Sequence, residues 1–130
     1  MDANWVVEMD DELLKYILEC AKNLYPRETI AFLRGKRKKE VLTVSELVIP
    51  PLATYGQGFA STPLHMLPID FSLIGSVHSH PSGNLTPSAA DLNHFFGRIL
   101  MIVGFPYMDM DNVAVYDRNA TKLRLQITEC

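Results

Sequence analysis

Hydrophobic and polar positions change period several times along this chain, and each change predicts a new element. From Asp10 to Leu24, apolar side chains at Leu13, Leu14, Ile17, Leu18, Ala21 and Leu24 recur at the helical spacing. Asp10 is placed to cap that helix, Asp11 and Glu12 put negative charge at its positive end, and Pro26 stops it. Before it, Trp5 to Val7 predicts a short strand. After it, Glu28 to Gly35 (ETIAFLRG) is a short apolar run flanked by charge, and Val41 to Ile49 is rich in β-branched residues, so both predict strands. Phe71 to His80 predicts another, running into a Pro/Gly turn, PSGN. Thr86 and Pro87 announce a second helix from about Ser88 to Phe96, with threonine as N-cap and proline in the first helical position. Ile99 to Gly104, Val113 to Tyr116 and Leu123 to Thr128 predict three closing strands, and Asp117 to Ala120 turns between the last two.

Residues 50 to 68 are punctuated by Pro50, Pro51, Gly56, Gly58, Pro63 and Pro68, which predicts a long loop rather than an element. Long loops in compact domains are often functional. The elements add up to an α/β chain of roughly six strands and two helices, with a mixed central sheet and helices packed on it. At 130 residues the chain is the size of one domain, residues 1 to 130, without internal repeats.

Composition narrows the function classes. Apolar residues make up 48% and charged residues 21%, the balance of a folded soluble protein. A net charge of -3 argues against nucleic acid as the main partner. The one basic cluster, Arg34 to Lys39 (RGKRKK), reads as a solvated turn between two strands in preference to a docking patch for an acidic partner. No apolar run reaches the ~20 residues that span a bilayer, so no membrane partner is expected. The acidic opening MDANWVVEMDDE lacks the pattern of a secretion signal. Cys20 and Cys130 are far apart with no C-x-x-C pair, which implies reduced thiols and a cytoplasmic setting. A terminal thiol can link two chains under oxidation, which leaves a homodimer open.

The segment that carries chemistry is HSHPSGNLTPSAAD, His78 to Asp91. Alternate side chains of a strand share a face, so His78 and His80 project together while Ser79 points away. Pro81 favours an extended His80. In the helix that follows, Ser88 and Asp91 are three apart and share a face near its start. A strand end, a tight turn and a helix start can thus bring two imidazoles and a carboxylate together. Two histidines and one carboxylate plus water make up a typical catalytic zinc site. Structural sites close all four positions, mostly with thiolates, and no cysteine lies near this motif. An H-x-H pair alone is commonly surface or core decoration. The combination is stronger, because an unpaired Asp91 on an apolar-flanked helix would be costly.

The run H-x-H, seven residues, Ser, two residues, Asp resembles the signature of the JAMM (MPN+) metallopeptidases, with every motif position filled. That family also places a glutamate on the first strand after the first helix, and Glu28 fits in type and place. Spacing alone does not select it from Glu8, Glu12, Glu19, Glu40 and Glu46. A carboxylate heading an apolar strand is, however, better placed for burial than those on polar flanks. The resemblance covers nearly the whole chain and implies a minimal, stand-alone prokaryotic member of archaeal type. It implies a three-layer α/β sandwich similar to cytidine deaminases. It also implies one zinc per chain on His78, His80 and Asp91, Glu28 as general acid/base, and Ser88 as hydrogen-bond donor to the developing oxyanion. His65 and His94 are taken as structural or exposed. Trp5, Phe95, Phe96, Phe105 and Tyr107 are read as core or interface, and Met101, Met108 and Met110 as gap fillers.

The resemblance further implies an isopeptidase acting on a ubiquitin-like modifier or sulfur-carrier protein joined to lysine. An extended modifier tail would suit strand addition to a sheet edge beside the zinc, with residues 50–68 as a flap over it. Two alternatives stand beside this: a non-catalytic scaffold of the same fold, and a metal-dependent hydrolase of short peptides or small molecules.

Overall fold

The computed structural model describes residues 5–49, 54–56, 59–61 and 72–129. Strand β1 (Val6–Asp10) runs into helix α1 (Asp11–Leu24), and the Asp10 carboxylate caps the helix by accepting from the Leu13 N–H at 2.8 Å. Strands β2 (Ile30–Lys38) and β3 (Val41–Val48) form an antiparallel hairpin. Short strands β4 (Thr54–Gly56) and β5 (Phe59–Ser61) pair with each other as a separate sheet. Strand β6 (Leu73–His80) leads to helix α2 (Ala89–Asn93). Strands β7 (Ile99–Gly104), β8 (Val113–Tyr116) and β9 (Lys122–Thr128) close the chain, with a 3-10 turn at Met110–Asn112.

The main sheet is mixed, as the alternation of elements predicts, and it runs β1-β3-β2-β6-β7-β8-β9. β1 pairs in parallel with β3 on one side and β9 on the other, so this sheet closes on itself. A three-layer sandwich is therefore an incomplete description, because its middle layer would be an open sheet. The amphipathic face of α1 (Leu14, Ile17, Leu18, Ala21) packs into a core with Val7, Leu42, Val77, Met101 and Val115. β6 and β7 lie at the heart of the sheet. Their parallel pairing brings Gly75 so close to Ile99 that a Cβ on the glycine would sit 2.3 Å from the Ile99 carbonyl oxygen.

Four expectations need correction. The basic cluster is not a turn: β2 runs on through Lys38, and only Lys39 and Glu40 turn, with Lys39 at φ 57. Lys36, Arg37 and Lys38 pair with Thr43, Leu42 and Val41, and all three cations stand exposed on this hairpin arm. The second helix is one short turn capped by Ser88, not Thr86, and ends well before Phe96. The 50–68 stretch contains the β4–β5 hairpin, so it is not wholly loop. Met101 is buried in the core, but Met108 and Met110 are exposed and fill no gap. Tyr107 is buried, whereas Phe105 stays 46% exposed. His65, Cys130 and most of the 50–68 stretch lie outside the described residues. Among the described residues, no helix is long and apolar enough to cross a membrane.

Candidate metal centre

The β6 backbone sets the site. Its pairing with β2 and β7 buries the strand, and strand alternation turns His78 and His80 to one face and Ser79 to the other. Asp91 arrives from α2. The Asp91 carboxylate bonds to both rings, Oδ1 to His78 Nδ1 at 2.9 Å and Oδ2 to His80 Nε2 at 3.1 Å. All three side chains are almost fully buried. The spacing of 13 and 11 residues thus closes into one cluster, as the H-x-H…D pattern predicts.

Ser88 holds the carboxylate in place. Its N–H donates to Asp91 Oδ2 at 2.8 Å, and its Oγ accepts from the Asp91 N–H at 3.1 Å, a reciprocal capping box. The S-x-x-D spacing carried this signal, and it decides between Thr86 and Ser88 as cap. Ser88 is exposed, and the cap uses only a lone pair of its oxygen, so the hydroxyl proton remains free to donate.

The charge state follows from the partners. Burial pushes the Asp91 carboxyl up, but hydrogen bonds from His78, His80 and the Ser88 N–H outweigh it and hold the group well below the usual carboxylate range. Burial pushes His80 down. The Asp91 bond, the Asn84 carbonyl and the charges of Asp91 and Glu28 outweigh this and raise it. Glu28 forms a bridge just ahead of β2, half-buried. Burial raises its carboxyl, Asp91 adds to the rise, and the two histidines oppose it. Glu28 is therefore close enough to feel all three residues, though no hydrogen bond ties it to them.

Do these residues suit a zinc ion? His80 Nδ1 lies 2.7 Å from the Asn84 carbonyl oxygen, which can only accept, so this nitrogen carries the hydrogen. In the neutral ring Nε2 then presents a lone pair to an ionised carboxylate, and only a cation, a second proton or a metal ion, reconciles the two. A ligand histidine whose other nitrogen donates to a carbonyl is the usual second-shell arrangement. His78 Nε2 is buried and makes no hydrogen bond among the described residues, a donor atom to spare. Among the described residues, no group of three or more His, Cys, Asp or Glu side chains stands ready for an ion as it is. The donor chemistry fits zinc. His94 is not part of the cluster: it is exposed, and its Nδ1 bonds to the Ala90 carbonyl.

Comparisons with known proteins agree with this chemistry. A family model described as prokaryotic homologs of the JAB domain matches residues 10–122. A probable metalloprotease of Haloferax volcanii is 35% identical over 109 residues, spanning 78% of this chain and 68% of that relative. A crystal structure of a JAB1/MPN domain protein from Archaeoglobus fulgidus matches with a TM-score of 0.70 and 34% identity, covering 94% of this chain and 99% of that one. A structure described as a metalloprotease-like zinc site in the proteasome and signalosome matches at 0.67 and 31%, covering 95% and 99%. A protein from Desulfitobacterium hafniense, 16% identical with a TM-score of 0.61 over 95% of this chain and 94% of its own, shares the fold. With its H-x-H…S-x-x-D segment folded into one buried cluster, this chain belongs to the prokaryotic JAB-domain family of JAMM/MPN metalloprotease-like proteins.

Proposed function

We propose that this protein is a zinc-dependent isopeptidase that cuts after the C-terminal tail of a ubiquitin-like modifier or sulfur-carrier protein joined to lysine. The observation that carries the metal-dependent part is His80, whose Nε2 faces the Asp91 carboxylate at 3.1 Å while its Nδ1 is committed to the Asn84 carbonyl. His78, His80 and Asp91 would hold the zinc. When bound, such an ion polarises a carbonyl and lowers the pKa of water to about 7.

The chain's own residues supply the rest. Glu28, whose carboxyl is raised by burial, takes a proton from the attacking water and delivers it to the departing lysine nitrogen. Ser88 donates its free hydroxyl proton to the oxygen that gains negative charge. Asp91 stays ionised throughout, held by the Ser88 N–H.

The modifier part rests on the family and on available backbone. Among the described residues the seven-stranded sheet closes on itself, so an extended tail would have to pair elsewhere. The separate β4–β5 sheet is the candidate surface for an extended tail. A tail ending in two glycines suits a narrow channel that excludes side chains. A scaffold without catalysis would have no need of the full donor set. A hydrolase of short peptides would use the same groups, so the assay must separate the two. Zinc-loaded protein should be incubated with ubiquitin-like proteins carrying a C-terminal extension, and the products weighed by mass spectrometry. Cleavage after the modifier tail is expected. Hydrolysis of short peptides with every modifier fusion left intact would contradict the proposal.

A further inference from the structure

Ser79, between the two histidines, points away from the cluster and is buried, with 1% of its surface exposed. A serine in so apolar a strand needs a partner, and its partner is Thr29. The Thr29 N–H donates to Ser79 Oγ at 2.8 Å, the two hydroxyls meet at 2.9 Å, and the Ser79 N–H donates to the Thr29 carbonyl at 3.1 Å. The β2–β6 register puts Ile30 opposite His78. Carried two residues further, it sets Thr29 against Ser79 and Glu28 against His80. The Thr29 N–H thus bonds to a side-chain hydroxyl at the very place where β2 begins. Behind the pair, the buried Tyr107 hydroxyl stands beside Ser79, without a well-formed hydrogen bond among the described residues.

We infer that Ser79 is a positioning residue: its clamp on Thr29 fixes the adjacent Glu28 at the height of His78 and His80. This rests on Glu28 being the proton carrier. Ser79 touches neither substrate nor metal, and it works through the backbone of the next strand. A misplacement of ~1 Å costs up to ~10²-fold in rate, which sets the scale of the effect.

The test uses Ser79→Ala and Thr29→Val, the latter close in shape but lacking the hydroxyl, each alone and in the Glu28→Gln background. Expected is a fall in kcat of about 10- to 100-fold with KM and zinc content at the parent's values. In Glu28→Gln protein, single-turnover measurement of the residual rate should show no further loss, because a misplaced base and a missing base are the same defect. If Ser79→Ala does not fold, Ser79→Cys, close in size but a weak acceptor, carries the test, because Thr29→Val leaves both backbone bonds of the clamp in place. Unchanged kcat in folded variants, or an equal loss with and without Glu28, overturns the inference alone. An active Glu28→Gln protein overturns the reading of Glu28 beneath it.

Discussion

Ser88 serves two purposes that substitution can separate. Its oxygen caps a helix of only five residues, and its free proton is assigned to the oxyanion. Ser88→Ala removes both. Loss of an N-cap oxygen costs ~0.5–2 kcal/mol, which in a domain of this size lowers the Tm by roughly 3–6 °C per kcal/mol. Ser88→Gly removes the same hydroxyl, but glycine at an N-cap costs only a few tenths of a kcal/mol. The backbone there is extended (φ -83, ψ 168), which glycine adopts freely, and the Ser88 N–H to Asp91 Oδ2 bond survives in both variants. Removal of one oxyanion donor typically costs ~10²–10³ in rate. The alanine and glycine variants should therefore differ in thermal melting yet lose turnover alike, and Ser88→Thr should keep most of both. Melting curves and kcat on one modifier fusion decide it. Near-parent turnover in Ser88→Gly would refute the donor role and leave Ser88 as a cap alone.

Glu28→Gln keeps size while removing the proton acceptor, so turnover should fall by at least ~10²–10⁴ with zinc content unchanged. Loss of zinc in parallel with activity, read by elemental analysis, would make Glu28 a ligand instead. In chelator-treated protein the Asp91–His80 pair has its own pH signature. The Asp91 pKa is lowered on folding, so its stabilisation is present above about 4 and is lost as pH falls. The His80 pKa is raised, so its stabilisation is full below about 6.5 and is lost as pH rises through the folded value. Metal-free wild type should accordingly be most favoured over Asp91→Asn between about pH 4 and 6.5, measured by chemical denaturation. A difference that does not vary with pH would contradict the ionised pair.

Much of the site was legible because its logic is local. Alternation puts His78 and His80 together, and three-residue spacing puts Ser88 beside Asp91; neither needs tertiary information. The Asp10 cap and strands 99–104 and 113–116 follow from equally local patterns. Closure of the sheet was not legible. It depends on Val6 pairing with Arg124, a parallel contact between opposite ends of the chain that leaves no periodic trace. The extension of β2 through Lys38 was hidden by four cations, whose exposure on a hairpin arm looks in sequence like a turn. Ser79 was passed over because its value lies in Thr29, fifty residues away. Its signal was a polar residue buried in an apolar strand.

Metal content decides whether His78, His80 and Asp91 hold a zinc ion. Protein purified without chelator, alongside His80→Ala, should be dialysed and measured by elemental analysis, with circular dichroism to show that both are folded. Tightly bound zinc is expected in the parent and near-complete loss in His80→Ala, which removes the ring whose Nδ1 is committed to Asn84. Zinc retained by folded His80→Ala at the parent's level would contradict it.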